Sequence, residues 1–387
     1  MTSESRNRRT HTTNKCLRPN EYFGPVIKSL EQHIPIKTQG KWSHKDIFQC
    51  LIGMAAERQS IHSIQKLLKE RPCETSMWHH LRKLDMELIK NVNHKLLVEP
   101  VLDLIPKGKE CIFAIDTTLD PYYGDITPQN KEYVLGSQMK KSTTTFYGYI
   151  TLYMIKGDRN LTLSVLPVRN GIPAKDYIAH FLDIITWTDV KVKALLLDRE
   201  FYDVAIISLL KENKIPFVMP VKNQSARMKE FLSEGRKSRR MKYTMKSQLK
   251  GSVDVDILKV VKYFRGRGGK HALRRFGYIV NGIDWKPHKI AKTYEKRFAI
   301  ESSYRMRNCV RPRTTTKNPA IRYVLALVSM LLKNIWVAIQ WRYFTIPRRG
   351  PRRVDKKKLR FDHFRLIIWK LIMTRLKFRF PLIRSSG

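Results

Sequence analysis

Apolar positions along the chain recur first with a helical period and later with an extended one. Residues 1–40 are polar and broken by Pro19, Pro25 and Pro35, which predicts a loosely ordered arm. From Ser43 the pattern turns helical. Ser43 and Asp46 form an S-x-x-D capping box, and Ile47, Phe48, Leu51, Ile52 and Ala55 follow at helical spacing. Ser60 opens a second short helix with Ile61, Ile64, Leu67 and Leu68, ended near Pro72. Thr75 opens a third with Met77, Trp78, Leu81 and Leu84. Three short helices with tight joints suit a helix-turn-helix-like DNA-reading unit or a small bundle at a dimer interface.

At Cys111 the period becomes extended. Cys111–Ile115 reads as a buried strand ending in Asp116. Thr144–Ile155 and Leu161–Val168, joined by a Lys156–Asn160 loop, read as a hairpin. Pro173–Trp187 reads as a helix, Val192–Leu197 as an apolar strand ending in Asp198, Asp203–Asn213 as a helix and Ile215–Met219 as a strand. A meander followed by crossover units predicts a mixed sheet with helices on its faces. Residues 222–290 hold 19 Lys/Arg against 5 Asp/Glu, with alternation at Val253, Val255 and Ile257 and a glycine-rich turn at Arg265–Gly269, and read as a small β-rich insertion. Helical signal returns at Ala291 and runs to about Asn308. Asn318-Pro319 opens a long apolar helix to about Trp341. The remainder is Pro-broken and basic, then amphipathic as far as Phe380.

Composition narrows the class. The 387 residues suit two or three domains at roughly 100–200 residues each, and 42% apolar content is enough for a substantial core. Lys and Arg number 75 against 33 Asp and Glu, a net charge of +42. A chain repelling itself so strongly suits a polyanionic partner, nucleic acid before an acidic membrane surface. No run of 18 apolar residues exists, since Tyr323–Leu332 is cut by Lys333 and Asn334, so no membrane span is expected. Met1 to Asn14 lacks the apolar core of a signal peptide. Five scattered cysteines (Cys16, Cys50, Cys73, Cys111, Cys309) form no CxxC pair, which argues against a disulfide scaffold and for a reducing, cytoplasmic setting.

In so basic a chain, acids at strand ends need a reason. Asp116 and Asp198 each follow at least four apolar residues and so sit at the rim of a buried strand. If the strands are neighbours, the carboxylates converge, and a divalent cation relieves their repulsion. Oxygen-only ligands suit Mg²⁺ or Mn²⁺. Either aspartate alone also reads as a strand-end or helix-cap residue. At about 100° per residue on one helix, Tyr294, Arg297, Glu301, Arg305 and Asn308 fall within about 80° of one another, while Arg307 faces away. Glu200, Asp203, Asp120 and Asp125 lie near these segments and read as surface or capping acids. His62, His79 and His80 have no metal-ligand spacing. Tyr202 is expected to pack beside the Asp198 turn, and Thr117 and Thr118 to satisfy local backbone groups.

Three segments, Ile115–Thr118, Leu197–Tyr202 and Tyr294-x2-Arg297-x3-Glu301, together resemble insertion-sequence transposases of the Asp-Asp-Glu class, in the subgroup with a Y-x2-R-x3-E-x6-K signature. The resemblance covers about residues 106–345, with Asn308 where the closing lysine stands. It implies a ribonuclease-H-like α/β core interrupted by a β-rich insertion. The boundaries it suggests are 1–105 for an N-terminal helical DNA-binding or dimerisation region, 106–221 and 291–345 for the core, 222–290 for the insertion and 346–387 for a basic tail. It further implies two Mg²⁺ (or Mn²⁺) held by Asp116, Asp198 and Glu301, hydrolysis at element ends and strand transfer to target DNA. The implied partners are double-stranded DNA and a second copy of the chain, with no membrane, in a nucleoid-associated cytoplasmic setting. Tyr294, Arg297, Arg305 and Asn308 would contact DNA, with Arg305 standing in for the missing lysine. Trp285, the only tryptophan of the insertion, reads as a core tryptophan or as a candidate for holding a flipped base in a hairpin step. A metal-dependent nuclease without strand transfer, and a DNA-binding protein derived from a transposase, are the other readings.

Overall fold

The computed structural model describes residues 17–222, 225–265, 271–346 and 348–379. Met1 to Asn14, most of the glycine-rich turn and Phe380 lie outside the described residues.

Five helices come first: α1 (Pro19–His33), α2 (His44–Glu57), α3 (Ile61–Leu67), α4 (Glu74–Leu81) and α5 (Met86–Val98). α1 corrects the expected loose arm. Pro19 stands in the first turn, where a missing N–H costs nothing, and Phe23, Val26, Ile27 and Leu30 bury one face of the helix despite Pro25. The capping box of α2 is present: the Asp46 carboxylate accepts from the Ser43 N–H at 2.9 Å, and the Asp46 N–H donates to the Ser43 hydroxyl.

The sheet follows, as β1 (Glu110–Pro121), β2 (Val134–Lys140), β3 (Thr143–Lys156), β4 (Arg159–Pro167), α6 (Ala174–Trp187), β5 (Lys191–Leu197), α7 (Val204–Glu212), β6 (Phe217–Pro220), α8 (Ala226–Ser233), β7 (Arg239–Ser247), β8 (Gly251–Arg265) and β9 (His271–Asn281). These strands form one nine-stranded mixed sheet in the order β2-β3-β1-β5-β6-β9-β8-β7, with β4 on the same edge of β3 as β2. An antiparallel meander through β1, β3 and β4 leads by way of α6 into β5, parallel to β1, and by way of α7 into β6, parallel to β5. That is the strand order of a ribonuclease-H-like core, as expected. β7, β8 and β9 are the strands of the insertion. They form no sheet of their own: β9 pairs antiparallel with β6 and widens the core sheet.

Four helices close the chain: α9 (Pro287–Glu295), α10 (Phe298–Asn308), α11 (Pro319–Tyr343) and α12 (Phe361–Arg375). Alternation in the strands splits the core between two faces. Phe113, Ile115, Leu195 and Leu197 join a large cluster with α6, α7, α11 and the N-terminal helices. Ile112, Ala114, Ala194 and Leu196 join a smaller one with Ile290, Ala291 and Ile300 of α9 and α10. α11 is long and apolar enough to cross a membrane, yet 89% of its most apolar stretch is buried in the protein. Lys333 and Asn334, which interrupt its apolar run, are buried too. The Asn334 amide donates to the carbonyls of Thr162 (2.7 Å) and Leu97 (3.1 Å), tying α11 to β4 and α5.

Candidate active site

Register brings the two aspartates together. Ile115 pairs with Leu197 in the parallel β1–β5 ladder, so the next residues, Asp116 and Asp198, stand side by side. Neighbouring parallel strands lie about 4.8 Å apart, and residues in register point to one face. That face carries Ile112, Ala114 and Leu196, and α9 and α10 pack on it. Two tyrosines hold these helices against the strand ends. The Tyr304 hydroxyl donates to the Asp116 carbonyl at 3.0 Å and shares a 2.6 Å bond with the Thr151 hydroxyl. The Tyr294 hydroxyl donates to the carbonyl of Leu197, the residue before Asp198, at 3.3 Å.

Between the acids lies one guanidinium. Arg297 reaches Asp116 at 3.3 Å, Glu301 at 3.5 Å and Asp198 at 3.7 Å, with its own side chain only 10% exposed. Asp116, Asp198 and Glu301, from three different elements, therefore ring a single cation. One reason for the convergence is a joint that the single-helix reading missed. The segment from Tyr294 to Asn308 is two helices meeting at Lys296-Arg297, where the Arg297 N–H bonds to Tyr294 and that of Ile300 to Arg297, both at 2.9 Å. These i→i+3 bonds tighten the turn to about three residues, so Arg297 sits almost directly over Tyr294, and Glu301 follows one α-turn later.

Burial pushes the Asp116 carboxyl up to about 7; Arg297 pulls it down, and Glu200 and Asp198 push it further up. Glu200 is thus a fourth carboxylate at the site, raised by burial and by Asp198 while a bond from Thr117 holds it lower. Its two-residue offset from Asp198 was the only hint of this in the sequence. The donor set is carboxylate oxygen alone, and burial disfavours the charged form of Asp116 more than Arg297 favours it, a setting in which a hard divalent cation would stabilise the carboxylate. Among the described residues, however, no three His, Cys, Asp or Glu side chains stand around one shared ion position. The acids surround Arg297, whose guanidinium occupies the space between them. Asp198 also caps the short turn after β5, accepting the Arg199 N–H at 2.7 Å.

The other expected residues divide. Arg305 is exposed, and its guanidinium donates to the Ser302 hydroxyl at 3.1 Å. Asn308 is half-buried and accepts from Arg307 at 3.4 Å. Trp285 is not brought to the site: it follows β9, whose end pairs with the start of β6, and it precedes α9, whereas Tyr294 stands in that helix's last turn. Its ring instead carries Lys289 at 4.9 Å. Aromatic surface beside Asp198 comes from Phe298, 54% exposed, which shares a groove with Lys262, Arg275 and Tyr278. Asp203 caps α7 through the Ala205 N–H at 2.9 Å, and Asp125 is an exposed partner of Lys317. Asp120 is no surface acid. It is buried and held below its ordinary pKa, because Arg307 and Arg311 more than offset the burial.

No family model matches the chain, and no curated protein matches it either. Among solved structures it is similar to one described as the cryo-EM structure of the piggyBac transposase synaptic complex with hairpin DNA. The likeness spans 95% of this chain and 82% of that one, with a TM-score of 0.53. The fold is transposase-like. Identity between the two is 11%, so the likeness extends to architecture alone.

Proposed function

We propose that the chain is a DNA transposase of the insertion-sequence type that cuts phosphodiester bonds at element ends and joins the freed 3′-hydroxyls to target DNA. The observation that carries this reading is the gathering of Asp116, Asp198 and Glu301 around one guanidinium on a transposase-like fold. In this reading Asp116, Asp198 and Glu301 are the residues that would hold Mg²⁺ or Mn²⁺. Bound ions supply charge neutralisation at the scissile phosphate and lower the pKa of water. The protein's own part is placement. Tyr294 and Tyr304 fix the helices to the strand ends, and Arg297, once displaced from the acids, is positioned to grip a phosphate oxygen. Arg305 and Asn308 extend the same side of α10 towards the DNA backbone. Two ends must be cut and joined together, so at least a homodimer on duplex DNA is expected.

Alanine at Asp116, Asp198 or Glu301 is expected to abolish Mg²⁺-dependent cleavage of DNA carrying the sequences that flank this reading frame, while duplex binding persists. Full cleavage by any one variant would remove that residue from the site. Incubation of the protein with pre-cut ends and a target plasmid separates a transposase, which joins them, from a nuclease, which does not.

A further inference from the structure

About four residues beyond Asp116 along β1 lies a cleft lined by five arginines, Arg58, Arg307, Arg311, Arg313 and Arg322, against one carboxylate, Asp120. Three of the five are committed to structure. Arg307, fully buried, makes two bonds to Asp120. Arg322 lies over the rings of Tyr122 (4.8 Å) and Tyr147 (4.6 Å) and donates to the Thr316 carbonyl at 2.6 Å. Arg311 shares Asp120 at 2.8 Å, which uses up that carboxylate. Arg58 and Arg313 are exposed and have no ion pair among the described residues. Their backbones are nonetheless fixed: Arg58 is the left-handed cap of α2, and the Arg313 N–H donates to the Gln59 carbonyl at 3.2 Å. Unpaired guanidinium groups on fixed backbones, around a cleft with surplus positive charge, match phosphate oxygens.

We infer that this cleft is a second phosphate-binding site, in which Arg58 and Arg313 clamp the backbone of the DNA strand whose scissile bond lies at Asp116. The inference rests on the DNA-cutting reading and gives that site a direction. Asp116 and Asp120 share one face of β1 and are about 13 Å apart at about 3.3 Å per residue. A strand of duplex carries one phosphate per about 3.4 Å of axis, so the clamped phosphate falls within about four nucleotides of the cut.

The test is the salt dependence of duplex binding by the full chain in EDTA, read by fluorescence anisotropy. Replacing both arginines (Arg58→Ala with Arg313→Ala) should lower the slope of log K against log salt by about two, since each phosphate contact contributes about one. The double lysine variant should restore it. Neutral methylphosphonate substitution within about four nucleotides of the cut should weaken the parent protein but not the alanine variant. An unchanged slope, or sensitivity spread evenly along the strand, would overturn the clamp and leave the DNA reading intact. If the parent binds no duplex, the DNA reading fails and the cleft is judged with inorganic pyrophosphate. Thermal protection of the parent alone would support a phosphate site, and equal protection of parent and alanine variant would refute it.

Discussion

Lys333 is wholly buried, its ammonium donating to the Asn160 carbonyl and to the Tyr153 hydroxyl (3.2 Å), with no carboxylate paired to it among the described residues. Burial lowers its pKa to about 7. In the unfolded chain a lysine titrates near about 10.4. Between those values the unfolded state binds a proton that the folded state lacks, so stability contributed by this residue rises with pH from about 7 to about 10 and is flat below. Lys333→Met should flatten that rise, by up to about 1.4 kcal/mol per pH unit. Urea unfolding of both proteins between pH 7 and 9 measures it, and parallel pH profiles would contradict the assignment. The sequence shows this lysine only as an interruption of an apolar run. Asp116, Asp198 and Glu301 were legible for the opposite reason, because acids are scarce in this chain and two of them follow apolar runs. Tyr304 was not legible, since its partner is a backbone carbonyl 188 residues away and no local pattern announces such a bond.

α10 carries Glu301, and its far side is bolted to the sheet through Arg307 and Asp120. Arg307→Met leaves a buried carboxylate with Arg311 alone and should cost about 3–5 kcal/mol, the usual penalty for breaking a buried pair from one side. Arg307→Met combined with Asp120→Leu should recover much of that loss, because no buried charge is then stranded. Chemical denaturation of the single and double variants decides the point; a double variant as unstable as the single one would mean that α10 is held otherwise. Periodicity located β5, α6 and α7 to within a residue or two, since each is a continuous apolar run or stripe between turn residues. Expectation ended β1 at Asp116, yet the strand runs on through polar Thr117 to Pro121, because β3 supplies a ladder as far as Phe146. β2 buries only Val134 and so offered no alternation to read. The joint at Arg297 was hidden for a related reason: every residue there has helical backbone angles, and only the hydrogen-bond spacing changes.

At the scale of the molecule, the last helix packs on the first ones. Phe364, Ile368 and Ile372 of α12 are buried, and Gly53 of α2 lies so near that a β-carbon there would stand 3.2 Å from the Ile372 side chain. The Phe361–Arg375 part of the segment read as a basic tail is therefore a core element, and its amphipathic pattern is satisfied by the N-terminal helices. The remaining cations spread over the surface, and the net charge of +42 makes salt act in two directions. Ions screen the mutual repulsion of surface charges over about 10 Å at 0.1 M, which favours the compact state of the free protein. The same ions compete with any phosphate backbone for those cations, which weakens DNA binding. The melting temperature of the DNA-free protein is thus expected to rise by several degrees between about 20 and 300 mM sodium chloride, while duplex affinity falls by orders of magnitude over the same range. Calorimetry and anisotropy on one preparation measure both. A melting temperature that falls with salt would mean that paired charges, such as those of Asp120 with Arg307 and Arg311, outweigh the surplus of cations in setting stability, and the polyanion would then be recognised by local sites rather than by the field of the whole surface.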